Sequence, residues 1–146
     1  MLPKIELNWL AIGLVVVSNF VIGMLWYGPL FAKPWAKEIG MDMSKKPETK
    51  VMIRAFALMI VGSLLTAFVL AHDVQVWQPE RWNAGANQPP YVYGFFAGFF
   101  VWIGFQVPLL FNSMGWEGKS FKLFAINAGH QFVALQAAAM ILAYIR

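Results

Sequence analysis

Residues 8–27 read NWLAIGLVVVSNFVIGMLWY, twenty positions without a charged side chain. A hydrocarbon core of ~30 Å is crossed by a helix of about 20 mainly apolar residues, so this stretch is long enough to span a bilayer. Gly28-Pro29 follows, and the span is expected to close there because proline cannot continue the hydrogen-bond ladder. Three comparable stretches lie downstream, at about 51–71, 91–111 and 121–145. Arg54 sits one turn inside the second, close enough to an interface for its long side chain to snorkel. The fold expected is all-α: one polytopic membrane domain over residues 1–146, a four-transmembrane-helix bundle with short interfacial segments. A cleaved signal peptide is not expected at the start, since Glu6 accompanies Lys4, no A-x-A site follows the apolar run, and three further spans come after it.

Composition points the same way. Sixty percent of the 146 residues are hydrophobic and 12% are charged, about half the charge of a soluble globular domain. So little charge cannot coat a water-facing surface, which argues against nucleic-acid binding, a secreted disulfide scaffold and a soluble enzyme. With no cysteine, there is no disulfide and no thiolate metal site. Nothing in the sequence implies a cofactor or a metal.

Orientation follows from the eleven Lys and Arg. Lys33, Lys37, Lys45, Lys46, Lys50 and Arg54 fall in or beside the loop between spans one and two, and Lys119 and Lys122 between spans three and four. These loops share a side, so eight basic residues oppose Lys4, Arg81 and Arg146. The positive-inside rule then places both termini outside and the basic loops in the cytoplasm. Trp9, Trp77 and Trp82 fall near the outer interface, and Trp26, Tyr27, Trp35 and Trp116 near the inner one, where amphipathic rings act as anchors. Only Trp102 lies deep in a span. Two short segments are expected on the interfaces: a helix over Phe31–Ile39, and a turn around Val74–Trp77 within the external loop 73–90.

No Asp, Glu, Lys or Arg lies at the middle of any span, where proton relays and ion-coupled pumps usually keep one. The polar residues at depth are Asn19, Ser63, Thr66, Gln106, Asn127, His130, Gln131 and Gln136. Counting 1.5 Å per residue puts Asn19 about 16 Å and Gln106 about 22 Å from the outer edge, and Asn127 to Gln131 about 9 to 15 Å from the inner edge. These levels coincide, and unpaired amides in hydrocarbon are costly, so Asn19, Gln106, Asn127, His130 and Gln131 are expected to form a shared interior cluster. Its ordinary reading is interhelical packing; its sharper reading is the lining of a small polar path. His130 lacks a second ligand at helical spacing and reads as a packed neutral histidine. Small residues mark close helix approach: Gly94 and Gly98 on span three, Ala55, Gly62 and Thr66 on span two. On span four, Ala125, Gly129 and Gln136 lie opposite the Asn127 face. One such surface is expected to be left over for a partner.

Two stretches carry a family resemblance: Trp26-Tyr27-Gly28-Pro29-Leu30-Phe31-Ala32-Lys33-Pro34-Trp35, and Glu117 to Gln131 (EGKSFKLFAINAGHQ). Together with the Asn-Trp start, the length and the four-span layout, the chain resembles the uncharacterised bacterial integral-membrane family catalogued as domain of unknown function 1761. The resemblance covers nearly the whole chain and implies no catalytic residue, cofactor or substrate. It implies that an aromatic such as tyrosine more often stands where this chain has His130.

Three functions follow, in order of expectation. The first is a self-associating structural or accessory subunit of a membrane complex, a homo-oligomer or part of a larger assembly in the bacterial cytoplasmic membrane. The second is a channel or transporter for a small neutral or polar solute, lined by the Asn and Gln cluster. The third, a membrane enzyme, has only His130 and the interfacial His72, Asp73 and Glu80 to draw on.

Overall fold

The computed structural model describes residues 3–145; Arg146, counted above for orientation, lies outside them. Four helices are long and apolar enough to cross a membrane, and no strand occurs among the described residues. The chain is all-helical, as the spans in the sequence predict.

Helix α1 (Trp9–Leu25) begins at Asn8, whose Oδ1 accepts from the amides of Leu10 and Ala11 at 2.9 and 3.2 Å. Two of the donors that a helix start leaves free are thereby satisfied. The chain then enters a π-helical turn, Trp26–Leu30, in which Gly28 leaves helical geometry (φ −105°, ψ −105°). The first apolar helix thus covers Trp9–Leu30 instead of stopping at Tyr27. A wider i→i+5 turn lets the chain pass Pro29, which an α-turn would not accommodate. Helix α2 (Ala32–Ile39) matches the short segment expected at 31–39, and Gly40 closes it in the left-handed conformation (φ 68°) that glycine adopts without penalty.

Helix α3 (Thr49–Val76) is longer than the span read from sequence. The segment expected as a separate interfacial turn, Val74–Trp77, instead forms the end of this helix, because continuing the ladder satisfies backbone groups that a break near the membrane would expose. The short helix of the external loop is a 3-10 turn at Pro79–Trp82. The third span is one helix, Pro90–Glu117, that widens along its length: α4 (Pro90–Val101), a π-turn at Trp102–Gln106, then α5 (Val107–Glu117). Pro108 explains it. Its nitrogen cannot bond the carbonyl one turn back, and the wide turn immediately before it absorbs the mismatch. Helix α6 (Phe121–Tyr144) starts at Ser120, whose Oγ accepts from the Leu123 amide at 3.1 Å while its hydroxyl donates to Glu38 of α2. Lys122 adds a looser pairing to Glu38 at 4.0 Å, so α2 is fastened to the start of α6.

The most enclosed helix is α6, packed on α1, α3, α4 and α5. Its buried positions are mostly small, among them Ala128, Ala134, Ala138, Ala139 and Ala143. Its closest neighbour is α4. A Cβ added at Gly94 would lie 3.2 Å from the Ala139 carbonyl, and one at Gly98 would lie 3.1 Å from the Leu135 carbonyl. Only glycine permits that approach. The core gathers at one end: Ala11 and Val15 from the start of α1, Leu70 and Val74 from the end of α3, Ala97 from α4, and Leu135 to Ala143 from α6. At the other end the bundle opens. Every residue of α3 from 49 to 58 is exposed, with the Phe56 ring reaching Phe20 of α1 at 5.7 Å.

Candidate functional site: a clamp of aromatic side chains on α6

The two π-turns each begin with a tryptophan, and both indoles reach α6. Trp26 Nε1 donates to the Ile126 carbonyl at 3.0 Å, and Trp102 Nε1 donates to the Ala128 carbonyl at 2.8 Å. Residues two apart on a helix are about 200° apart around it, so the indoles grip α6 from opposite sides. Gly129 makes room for one of them, since a Cβ there would meet the Trp26 ring at 3.0 Å. Tyr27 OH donates to Asn127 Oδ1 at 2.9 Å. Trp26 and Tyr27 therefore face inward onto α6 and are not free interfacial anchors. The wide turn, which changes the angular spacing of successive side chains, allows two adjacent aromatics to reach the same helix.

His130 lies inside this aromatic group, its ring 4.8 Å from that of Tyr27 and 6.1 Å from that of Trp26. Both ring nitrogens are enclosed and neither has a hydrogen-bond partner. The structure thus brings Asn127 and His130 together around Tyr27. It does not join them to Asn19, whose Nδ2 donates to Ser63 Oγ at 3.1 Å between α1 and α3. Asn19 Oδ1 is enclosed and unpartnered. Gln106 and Gln131 are half-buried and enter none of these bonds. Of the five residues expected to pair with one another, two find partners of other kinds: Asn19 a serine and Asn127 a tyrosine. Counting depth along a helix gives a level but not an azimuth, and the π-turns shift the azimuth further.

Gln136 Nε2 donates to the Phe95 carbonyl at 3.2 Å. Gln136, Gly94 and Gly98 therefore belong to one contact inside the chain, between α4 and α6. Of the two roles expected for these residues, helix packing or a partner face, the contact within the chain is the packing one. Trp9, Trp77, Trp82 and Trp116 are exposed, and Trp35 packs at a tilt against Tyr27, ring centres 5.0 Å apart. Among the described residues, no three His, Asp or Glu side chains gather as a metal site requires.

One polar arrangement has no counterpart among the sequence expectations. The extended segment before α1 is held along the end of α3 by Gln75, whose Oε1 accepts from the Glu6 amide at 3.0 Å and whose Nε2 donates to the Glu6 carbonyl at 2.8 Å and to Ala71 O at 2.9 Å. The carboxamide mimics a neighbouring strand. No periodicity marks such a residue, and only its position on a span that runs past Ala71 reveals it.

Four apolar helices tied by indole, phenol and amide bonds between spans define a polytopic α-helical membrane protein. The family model for the protein of unknown function DUF1761 matches residues 10–143, and the chain belongs to that family. No curated protein and no solved structure matches it significantly.

Proposed function

We propose that this protein is a self-associating structural subunit of the bacterial cytoplasmic membrane, with both termini outside and the basic loops in the cytoplasm. The observation that carries the reading is the open half of α3. Residues 49–58 are exposed, touching α1 through Phe56 and Phe20, and at Gly62, on the same side of the helix as Ala55, an added Cβ would meet nothing within 4 Å. Of the small-residue ridges, that on α4 is spent within the chain, while that on α3 lies open to a second backbone. Small residues let helices approach closely in lipid, where packing and hydrogen bonds drive association.

A solute path lined by the intramembrane amides draws less support, because Asn19, Asn127 and Gln136 are committed to bonds between spans. No reaction is proposed. The test is the mass of the protein in lipid nanodiscs. A dimer or larger assembly that dissociates in Gly62→Leu is expected; a single chain in the parent protein would contradict the reading.

A further inference from the structure

At the end where α1 begins and α3 finishes, a cavity of about 470 Å³ opens beside Trp9. Its lining mixes apolar side chains, among them Ala71 and Leu142, with polar ones. Two of the wall side chains have little left to offer a guest: Gln75 is bonded to Glu6 and Ala71, and Asn8 Oδ1 caps α1. Gln78 is different. It is 1% exposed, it lines the cavity, and its Oε1 is enclosed without a partner. A buried amide oxygen in that condition calls for a donor, and none of the described residues supplies one.

Two cations and one carboxylate gather at the site. The Arg81 side chain is 18% exposed, and its NH1 donates to the Lys4 carbonyl at 3.1 Å and lies 3.8 Å from Glu6. Glu6 also pairs with Lys4 at 2.8 Å, so one carboxylate is shared between two cations and a net positive charge remains. The hydrogen bond and charge of Lys4, with Arg81 adding its charge, hold the Glu6 carboxyl below its ordinary value, so that pairing persists at neutral pH. Guanidinium carries five donors, more than its contacts at NH1 with Lys4 and Glu6 use. The N-terminus of α1, at Asn8 to Leu10 on the cavity wall, adds its positive end.

We infer that this cavity binds a phosphate ester of a small polyol, with the phosphate against Arg81 and the start of α1 and a hydroxyl donating to Gln78. Arginine suits a phosphate because its planar fork matches two oxygens at once. The volume lies within the range of small-molecule sites. Glycerol phosphate has this chemistry, whether free in solution or as the headgroup of a membrane lipid, and the exposed Trp9 beside the cavity places it at headgroup depth.

The experiment uses the full chain in nanodiscs of phosphatidylcholine doped equally with phosphatidylglycerol and phosphatidic acid, with retained lipid read by native mass spectrometry. Thermal unfolding with and without glycerol 3-phosphate runs in parallel. Retention of phosphatidylglycerol about tenfold above phosphatidylcholine and clearly above phosphatidic acid, lost in Arg81→Gln and weakened in Gln78→Met, is expected if the source is lipid. A rise in unfolding temperature with glycerol 3-phosphate, absent in the same variants, is expected if the source is soluble. Lys119→Gln, at the opposite end, should behave as the parent does. Neither enrichment nor stabilisation in the parent protein, equal retention of phosphatidic acid and phosphatidylglycerol without stabilisation by glycerol 3-phosphate, or unchanged binding in folded Arg81→Gln would each overturn the inference.

Discussion

His130 is a polar ring in an aromatic enclosure, with a donor and an acceptor both unmet. Leaving buried polar atoms unpaired costs about 1–3 kcal/mol, whereas an aromatic hydrocarbon ring of similar shape would keep the contacts to Trp26 and Tyr27. His130→Phe should therefore raise the unfolding temperature in detergent by several degrees, and a clear fall would contradict the unpaired state of the ring. Trp102 presents the opposite case. Trp102→Phe keeps a ring but removes the donor to Ala128, and should lower stability by about 1 kcal/mol. Unfolding followed by circular dichroism measures both. The sequence marked Trp102 as the one tryptophan at depth but could not say what its indole bonded, since the acceptor is a backbone carbonyl with no signature of its own.

Among the elements, the glycines separate into used and unused. Gly98→Ala drives a Cβ to 3.1 Å from the Leu135 carbonyl and 2.9 Å from Gln136 Nε2; the side chain can yield but the backbone cannot. A loss of about 1–3 kcal/mol is expected, as for other overpacked contacts. Gly62→Ala meets nothing within 4 Å and should leave the single chain as stable or slightly more so, because alanine favours the helix. Equal losses at the two sites, measured by unfolding in detergent, would show that α4 and α6 do not approach as described. The spans were legible because a charge-free run of about 20 residues matches the hydrocarbon thickness and has little place on a water-facing surface. Their ends were less so: His72 and Asp73 suggested a boundary that α3 runs through. The π-turns were not legible at all, although Pro29 and Pro108, beside which they form, stood in plain view. A proline announces a disturbance of the ladder and leaves open whether the chain breaks, bends or widens to pass it.

For the whole molecule, a core closed at the end where α1 begins is joined to a more open, basic-flanked end where residues 49–58 of α3 are exposed. The orientation predicts that a cysteine at position 45, placed in this cysteine-free chain, is labelled from the cytoplasmic side and not from outside. Labelling from outside would invert the topology. The intramembrane amides illustrate how far sequence reaches at this scale: that Asn19 and Asn127 take partners on other spans was legible, but not that those partners are Ser63 and Tyr27, because packing azimuth is decided by all four helices together. Self-association through α3 is the central claim, and oxidative crosslinking of single cysteines in native membranes tests it most directly. Ala55→Cys is predicted to give a disulfide-linked dimer in high yield while Val17→Cys, exposed on α1, stays monomeric. No dimer from Ala55→Cys, or equal dimer from both, would contradict it.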